Sequence, residues 1–209
     1  NLQNRIKAVH SMKSRLTLLV SILILMIPGC TSPEPITESE VEEESNIPKR
    51  LNLIADTAGR DIDRYQTMDI LADANGENTL ILWVSTGCSG CHDWTEMISE
   101  EMRNGNISND TRIITVHRYP SFESRQEVID VYASNESSTN SLWPVMIPVE
   151  DQPAIDVEKN QETDIDYANA FEKPATPSFT ILDGDGYTIW KNKEYWADKS
   201  VLTDALNQL

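Results

Sequence analysis

The sequence predicts an α/β sandwich, in which a central mixed sheet is covered by helices. Apolar runs typical of strands buried on both faces occur at 79–85 and 112–117. Apolar residues at helical spacing follow each run, at 89–103 and 125–133. A strong hairpin signal, Asp183-Gly184-Asp185-Gly186, lies near the end of the chain. Strands that alternate with helices and then form a hairpin favour this sandwich.

The remaining elements follow from shorter patterns. We expect an edge or irregular strand at 143–149, because Pro144 and Pro148 interrupt it. The acidic stretch 152–166 shows no clear period and is left unassigned. The other predicted elements are a strand at 51–55, a helix at 69–74, a helical turn at 167–171, strands at 178–182 and 187–190, and a closing helix at 198–209.

The N-terminal region has the layout of a secretory signal. The basic start Met12-Lys13-Ser14-Arg15 is followed by an apolar run at 16–27 and by Pro28-Gly29-Cys30. The run is shorter than the ~20 residues that a bilayer-spanning helix needs. A cysteine directly after Gly29 resembles a prokaryotic lipobox, in which the signal is cut before the cysteine and Cys30 carries lipid. An uncleaved signal anchor with an incidental cysteine is the alternative.

These features predict three regions. Residues 1–29 form an upstream extension and a lipoprotein signal peptide. Residues 30–48 comprise the lipidated Cys30 and a linker whose prolines and clustered glutamates keep it extended. Residues 49–209 have the length of one folded domain.

The charge excludes some partners. The formal net charge is −17 for the whole chain; the first 29 residues hold four basic side chains and no acidic one, so the rest carries −21. Such a surface repels nucleic acid and anionic lipid headgroups. We therefore expect no nucleic-acid partner, and expect that the membrane is reached through the lipid on Cys30.

Two cysteines remain for chemistry if Cys30 is lipidated, because the chain has three. Cys88-Ser89-Gly90-Cys91 lies between a predicted strand and a predicted helix. At the start of a helix, unpaired N–H groups and the helix dipole stabilise a thiolate and lower the pKa of Cys88. Cys91, one turn further on, lies within reach of the Cys88 sulfur. This spacing predicts a redox dithiol in which Cys88 attacks and Cys91 resolves the mixed disulfide.

The same residues allow other kinds of site. His92 completes Cys-x-x-Cys-His, the attachment signature of c-type haem, with Cys88 and Cys91 as thioether positions and His92 as axial ligand. A copper-binding or copper-delivery site could combine the two cysteines with His117, since thiolate and imidazole suit copper. A structural zinc site would need four ligands, and a second cysteine pair is missing. The haem and copper alternatives stay open at this point.

A distant motif adds a resemblance to a known family. Thr176-Pro177 directly precedes the predicted strand at 178–182, far downstream of the Cys-x-x-Cys. Over residues 51–209 this arrangement resembles the thioredoxin superfamily, and within it the TlpA/ResA-like membrane-anchored thiol–disulfide oxidoreductases. The resemblance implies a thioredoxin-like three-layer sandwich with an inserted helix–strand element at 125–149 before a cis-proline. It further implies that Pro177 is cis and that Thr176 and Pro177 bind an extended substrate segment.

The resemblance also implies a function. We expect an extracytoplasmic, lipid-anchored thiol–disulfide oxidoreductase that exchanges its dithiol with cysteine-containing proteins and a redox partner protein, without a cofactor or metal. Two positions depart from the family: Gly87 stands where the family usually has Trp, and Ser89-Gly90 stand where it often has Pro. Both positions influence the reduction potential, so the direction of electron flow does not follow from the sequence.

Overall fold

A five-stranded mixed sheet forms the centre of the computed structural model, which describes residues 47–209. The predicted signal peptide, Cys30 and the linker as far as residue 46 lie outside the described residues. The strands are β1 (Leu51–Asn52), β2 (Ile54–Asp56), β3 (Thr67–Asp69), β4 (Thr79–Val84), β5 (Ile113–His117), β6 (Val145–Met146), β7 (Pro153–Asp156), β8 (Gln161–Asp166), β9 (Ser178–Leu182) and β10 (Thr188–Asn192). The helices are α1 (Ile70–Ala74), α2 (Ser89–Arg103), α3 (Arg125–Tyr132), α4 (Tyr167–Ala170) and α5 (Lys199–Leu206).

The central sheet has the strand order β10-β9-β4-β5-β6. β4 pairs in parallel with β5, where Leu82 is opposite Thr115, and antiparallel with β9, where Leu82 is opposite Phe179. All six residues of β4 are buried, as the unbroken apolar run predicts for a strand covered on both faces. The end of β4 therefore lies at the middle of the sheet, and the helix that follows it begins there.

The two faces of the sheet are covered differently. One face packs against α2, α3 and α5, with Leu82, Trp94 and Leu202 in its apolar cluster. The other face packs against shorter elements, with Trp83 and Tyr167 in its cluster. In residues 47–209, no helix combines the length and apolar character needed to cross a bilayer. The predicted three-layer α/β architecture, with an inserted helix and strand ahead of Pro177, is confirmed.

Three local differences from the sequence predictions have physical reasons. The strand expected at 51–55 divides into β1 and β2, and the backbone N–H of Leu53 donates to the side chain of Asn52. The strand expected at 143–149 is only two residues long, because prolines flank it. The unassigned stretch 152–166 is a hairpin of β7 and β8, which forms a second sheet with β1. Side chains of β7 alternate between partly buried and buried, but this four-residue alternation is too short to indicate a strand within an acidic stretch.

Candidate active site

The two cysteines of the Cys-x-x-Cys form a disulfide at the start of α2. Cys88 is the N-cap residue of the helix, and its sulfur accepts a hydrogen bond from the backbone N–H of Cys91 at 3.1 Å. Cys88 is 7% exposed, whereas Cys91 is fully buried. The predicted strand–helix placement of the pair is confirmed, and Cys88 is the cysteine of the pair that retains some solvent exposure.

Side chains from α3 and from α2 itself hydrogen-bond to the turn that joins β4 to α2. The hydroxyl of Tyr132 donates to the carbonyl of Ser85 at 2.6 Å, and the same carbonyl accepts from Cys88 N–H at 3.4 Å. His92 Nε2 donates to the carbonyl of Thr86 at 2.8 Å. These contacts fix the backbone immediately ahead of Cys88, so the cysteine stands on a well-defined turn.

A carboxylate also accepts hydrogen bonds from the backbone of this turn. The N–H of Thr86 donates to both oxygens of Glu123, at 2.9 and 3.0 Å. Glu123 Oε2 also lies 2.8 Å from His117 Nε2. Burial lowers the pKa of His117, although its hydrogen bond to Glu123 opposes that shift. Burial and the charge of Glu123 raise the pKa of Tyr132.

The sequence does not point to Glu123, and it indicates His117 only as a candidate copper ligand. Glu123 lies in the loop between β5 and α3, where no periodic pattern marks it. Glu123 contacts the turn by accepting a hydrogen bond from the backbone N–H of Thr86, which is distant in sequence. A local pattern carries no signal for such a contact.

The predicted Thr176-Pro177 motif lies beside the same turn. The peptide bond between Thr176 and Pro177 is cis, as the resemblance implies. Thr176 Oγ1 is 3.5 Å from the hydroxyl oxygen of Ser85. The fold thus brings the motif next to the turn that carries Cys88, while its part in substrate binding stays a prediction.

A loop at 193–197 packs on the first turns of α2. The indole N–H of Trp94 donates to the carbonyl of Glu194 at 2.9 Å, and the N–H of Ala197 donates to Asp93 at 2.8 Å. Tyr195 and Trp196, which follow Glu194, remain 42% and 58% exposed, and their rings are in edge contact. The loop therefore places two partly exposed aromatic rings beside the start of α2.

The side chains that a haem or copper site would use already have partners within the protein. The sulfurs of Cys88 and Cys91 are bonded to each other. The Nε2 atom of His92 is engaged by a backbone carbonyl, and that of His117 by Glu123. Within residues 47–209, no group of three or more His, Cys, Asp or Glu side chains is arranged to hold a metal ion. In this arrangement the two cysteines are paired with each other, and neither His92 nor His117 is paired with them.

The likeness of this chain to known proteins lies in its structure. No protein-family model and no curated protein matches this sequence. It is similar in structure to the thioredoxin domain of a thiol-disulfide oxidoreductase from Bacteroides vulgatus, with a TM-score of 0.50 and 15% identity over 79% of this chain and 99% of that one. It is similar to a thioredoxin-like superfamily protein, with a TM-score of 0.50 and 14% identity over 77% and 94% of the two chains. The domain described here has the thioredoxin-like fold, and the resemblance seen in the sequence is confirmed at that level.

Proposed function

We propose that this protein is a thiol–disulfide oxidoreductase that exchanges the Cys88/Cys91 dithiol with cysteine-containing proteins. One observation carries the proposal: the disulfide lies at the start of α2, directly after a buried strand, and Cys88 retains 7% exposure whereas Cys91 is fully buried. A structural disulfide needs no such difference in access, whereas an exchanging pair needs one sulfur that partners can reach.

The proposed reaction conserves atoms and electrons in two displacements. A thiolate of a substrate dithiol attacks the sulfur of Cys88, a new S–S bond forms, and Cys91 leaves as a thiolate that takes up a proton. The second substrate thiolate then attacks the substrate sulfur of this mixed disulfide and releases Cys88. The substrate loses two electrons to form its disulfide, and the protein gains them as a dithiol. The reverse sequence reduces a substrate disulfide.

The start of α2 supplies the electrostatic help that this exchange needs. The backbone N–H of Cys91 already donates to the Cys88 sulfur. The same donor and the helix dipole stabilise the Cys88 thiolate when the pair is reduced. A more stable thiolate also leaves more readily, so the arrangement assists the second displacement, in which Cys88 is the leaving group.

The location and the substrate contacts are further parts of the proposal. A lipid on Cys30 would hold the domain on the outer side of a prokaryotic membrane, where a nearby cysteine pair can be oxidised. Thr176 and Pro177 would bind an extended segment around the substrate cysteine, and a separate redox protein would restore the pair after each cycle. Support comes from the lipobox-like Ile27-Pro28-Gly29-Cys30 and from the contact between Thr176 and Ser85.

Cysteine variants test the chemistry. Cys88→Ser is expected to abolish exchange with a model peptide disulfide, and Cys91→Ser is expected to accumulate the mixed disulfide, detected by mass spectrometry. Cys30→Ser is the matched control, because it makes the same substitution at the cysteine that is not part of the pair. Exchange by Cys88→Ser/Cys91→Ser at the wild-type rate would refute the proposal.

A separate experiment tests the anchor. Expressed in a bacterium that lipidates exported proteins, the wild-type chain is expected to partition into the detergent phase and to incorporate labelled fatty acid. Cys30→Ser is expected to lose the label. Unlabelled wild-type protein in the soluble fraction would contradict the anchor and leave the exchange chemistry standing.

A further inference from the structure

The carboxylate of Glu123 is hydrogen-bonded to the turn that joins β4 to α2, directly ahead of Cys88. Both of its oxygens accept from the N–H of Thr86, two residues before Cys88. Its side chain is 17% exposed, so solvent screens its charge only in part. The redox chemistry proposed above makes no use of this group.

The charge of Glu123 has no cationic lysine or arginine partner among the described ion pairs. Its one ion-pair partner in residues 47–209 is His117, which is fully buried. Because burial lowers the pKa of His117, the imidazole is neutral near neutral pH and donates Nε2–H to Glu123. In agreement with this tautomer, Nδ1 is buried without a hydrogen-bond partner. His117 thus orients the carboxylate without neutralising it.

We propose that Glu123, oriented by His117, is a positioning residue that restrains thiolate formation at Cys88. This inference rests on the proposed function, since it concerns the same cysteine. The physical reason is that a negative charge near a thiol disfavours the thiolate, whereas the start of α2 favours it. The two effects oppose each other at one sulfur.

Other titratable groups surround this turn and the first turns of α2. These groups are identical in all the variants that are titrated, so a difference in the Cys88 midpoint between two variants is caused by the substituted side chain. In the described part of the chain they are His92 and Asp93 on α2, Tyr132 on α3, Tyr195 in the loop over Gly90, and Glu127, which acts on His117 through space.

The pH dependence of alkylation of the reduced protein measures this restraint. The full chain carries Cys30→Ser, and mass spectrometry separates alkylation at Cys88 from that at Cys91. Glu123→Gln keeps a carbonyl oxygen for Thr86 N–H but removes the charge. We expect the midpoint for Cys88 to fall by about 0.5–1 pH unit, less than the 1–3 units that a charge in direct contact produces.

A matched control and a truncation separate charge from structure. Glu136→Gln makes the same change of charge on an exposed residue and is expected to leave the midpoint unchanged. Glu123→Ala removes both charge and hydrogen bonds, so it should lower the midpoint as Glu123→Gln does and also destabilise the fold. A midpoint for Glu123→Gln equal to that of wild type would overturn the inference and assign Glu123 a purely structural role.

The two proposals fail in different ways. Alkylation needs no disulfide partner, so the titration of Cys88 is measurable even if the protein exchanges with no substrate. If exchange fails while the alkylation midpoint of Cys88 still falls in Glu123→Gln, the oxidoreductase proposal is refuted and the role of Glu123 stands. If exchange proceeds but the midpoint does not fall in Glu123→Gln, the role of Glu123 is refuted and the oxidoreductase proposal stands.

Discussion

The carbonyl oxygen of Tyr195 lies 2.3 Å from the position that a Cβ atom would occupy at Gly90. Two ring carbons of Tyr195 lie 3.0 and 3.1 Å from the same point. The loop at 193–197 thus rests directly on the backbone between the two cysteines. This close approach explains why position 90 holds a glycine, since any side chain there would meet the backbone of Tyr195.

Gly90→Ala is the first prediction. The added methyl group would collide with backbone, which yields less easily than a side-chain tip, so the loop must move. We expect a loss of about 1–3 kcal/mol in the free energy of unfolding, the usual cost of overpacking. Urea denaturation of the oxidised protein measures it.

Gly87→Ala is the matched control for this change. No atom lies within 4 Å of a Cβ built at Gly87, so the methyl group has open space. We expect a change of no more than about 0.5 kcal/mol, as at other surface sites. Equal losses for the two glycine variants would contradict the close packing of Tyr195 on Gly90.

A second prediction concerns the ion pair between Arg60 and Asp63. The guanidinium lies 2.8 Å from a fully buried carboxylate, which also accepts from Val145 N–H. Arg60 further donates to the carbonyls of Ser141 and Trp143. Because Arg60→Met leaves the Asp63 charge buried and unpaired, we expect a loss of about 3–5 kcal/mol in unfolding free energy.

The surface pair of Lys191 and Glu172 provides the comparison. Its side chains are 37% and 67% exposed, so Lys191→Met should cost no more than about 1 kcal/mol. The double variant Arg60→Met/Asp63→Leu should be more stable than Arg60→Met alone, because no unpaired charge remains. A double variant as unstable as the single one would argue against the buried charge as the cause.

The third prediction concerns acid stability and His117. Burial holds the pKa of His117 in the folded protein below its ordinary value of 6.5. Between the two values the unfolded chain binds more protons, so stability falls as pH drops below about 6.5. One such proton gives a slope of at most about 1.4 kcal/mol per pH unit.

Urea denaturation between about pH 5 and 7.5 measures this slope. This pH range is chosen because it lies above the range in which carboxylates of ordinary pKa take up protons. His117→Gln should flatten it. His92→Gln removes the other imidazole of the domain and should retain the slope that His117 contributes. An unchanged slope in His117→Gln would rule out His117 as the source.

The fourth prediction tests the hold on the turn ahead of Cys88. Tyr132 is fully buried, and its hydroxyl donates to the carbonyl of Ser85. Tyr132→Phe removes that donor and should lower the unfolding free energy by about 1–2 kcal/mol. Tyr65→Phe, at a site that is 58% exposed, should change it by less than about 0.5 kcal/mol. Equal effects would mean that the hydrogen bond adds no stability.

Local patterns predicted much of the secondary structure. The helix α2 runs from Ser89 to Arg103 as its spacing predicts, and β4 occupies the predicted apolar run. Both depend on contacts with immediate neighbours, which the order of apolar and polar residues records. The hairpin of β7 and β8 was not predicted, because its strands are stabilised by pairing with each other and with β1. Such pairing leaves little trace in an acidic stretch.

The sequence by itself determined the position of the dithiol: Cys88 and Cys91 at the start of a helix, after a buried strand. Hydrophobic periodicity and the spacing of two residues are local properties, and both are visible in one dimension. Only the tertiary structure decided the surroundings of that dithiol. Glu123 is attached to Thr86, and Tyr195 is packed on Gly90, because the folding of separate loops onto one end of the sheet brings them together.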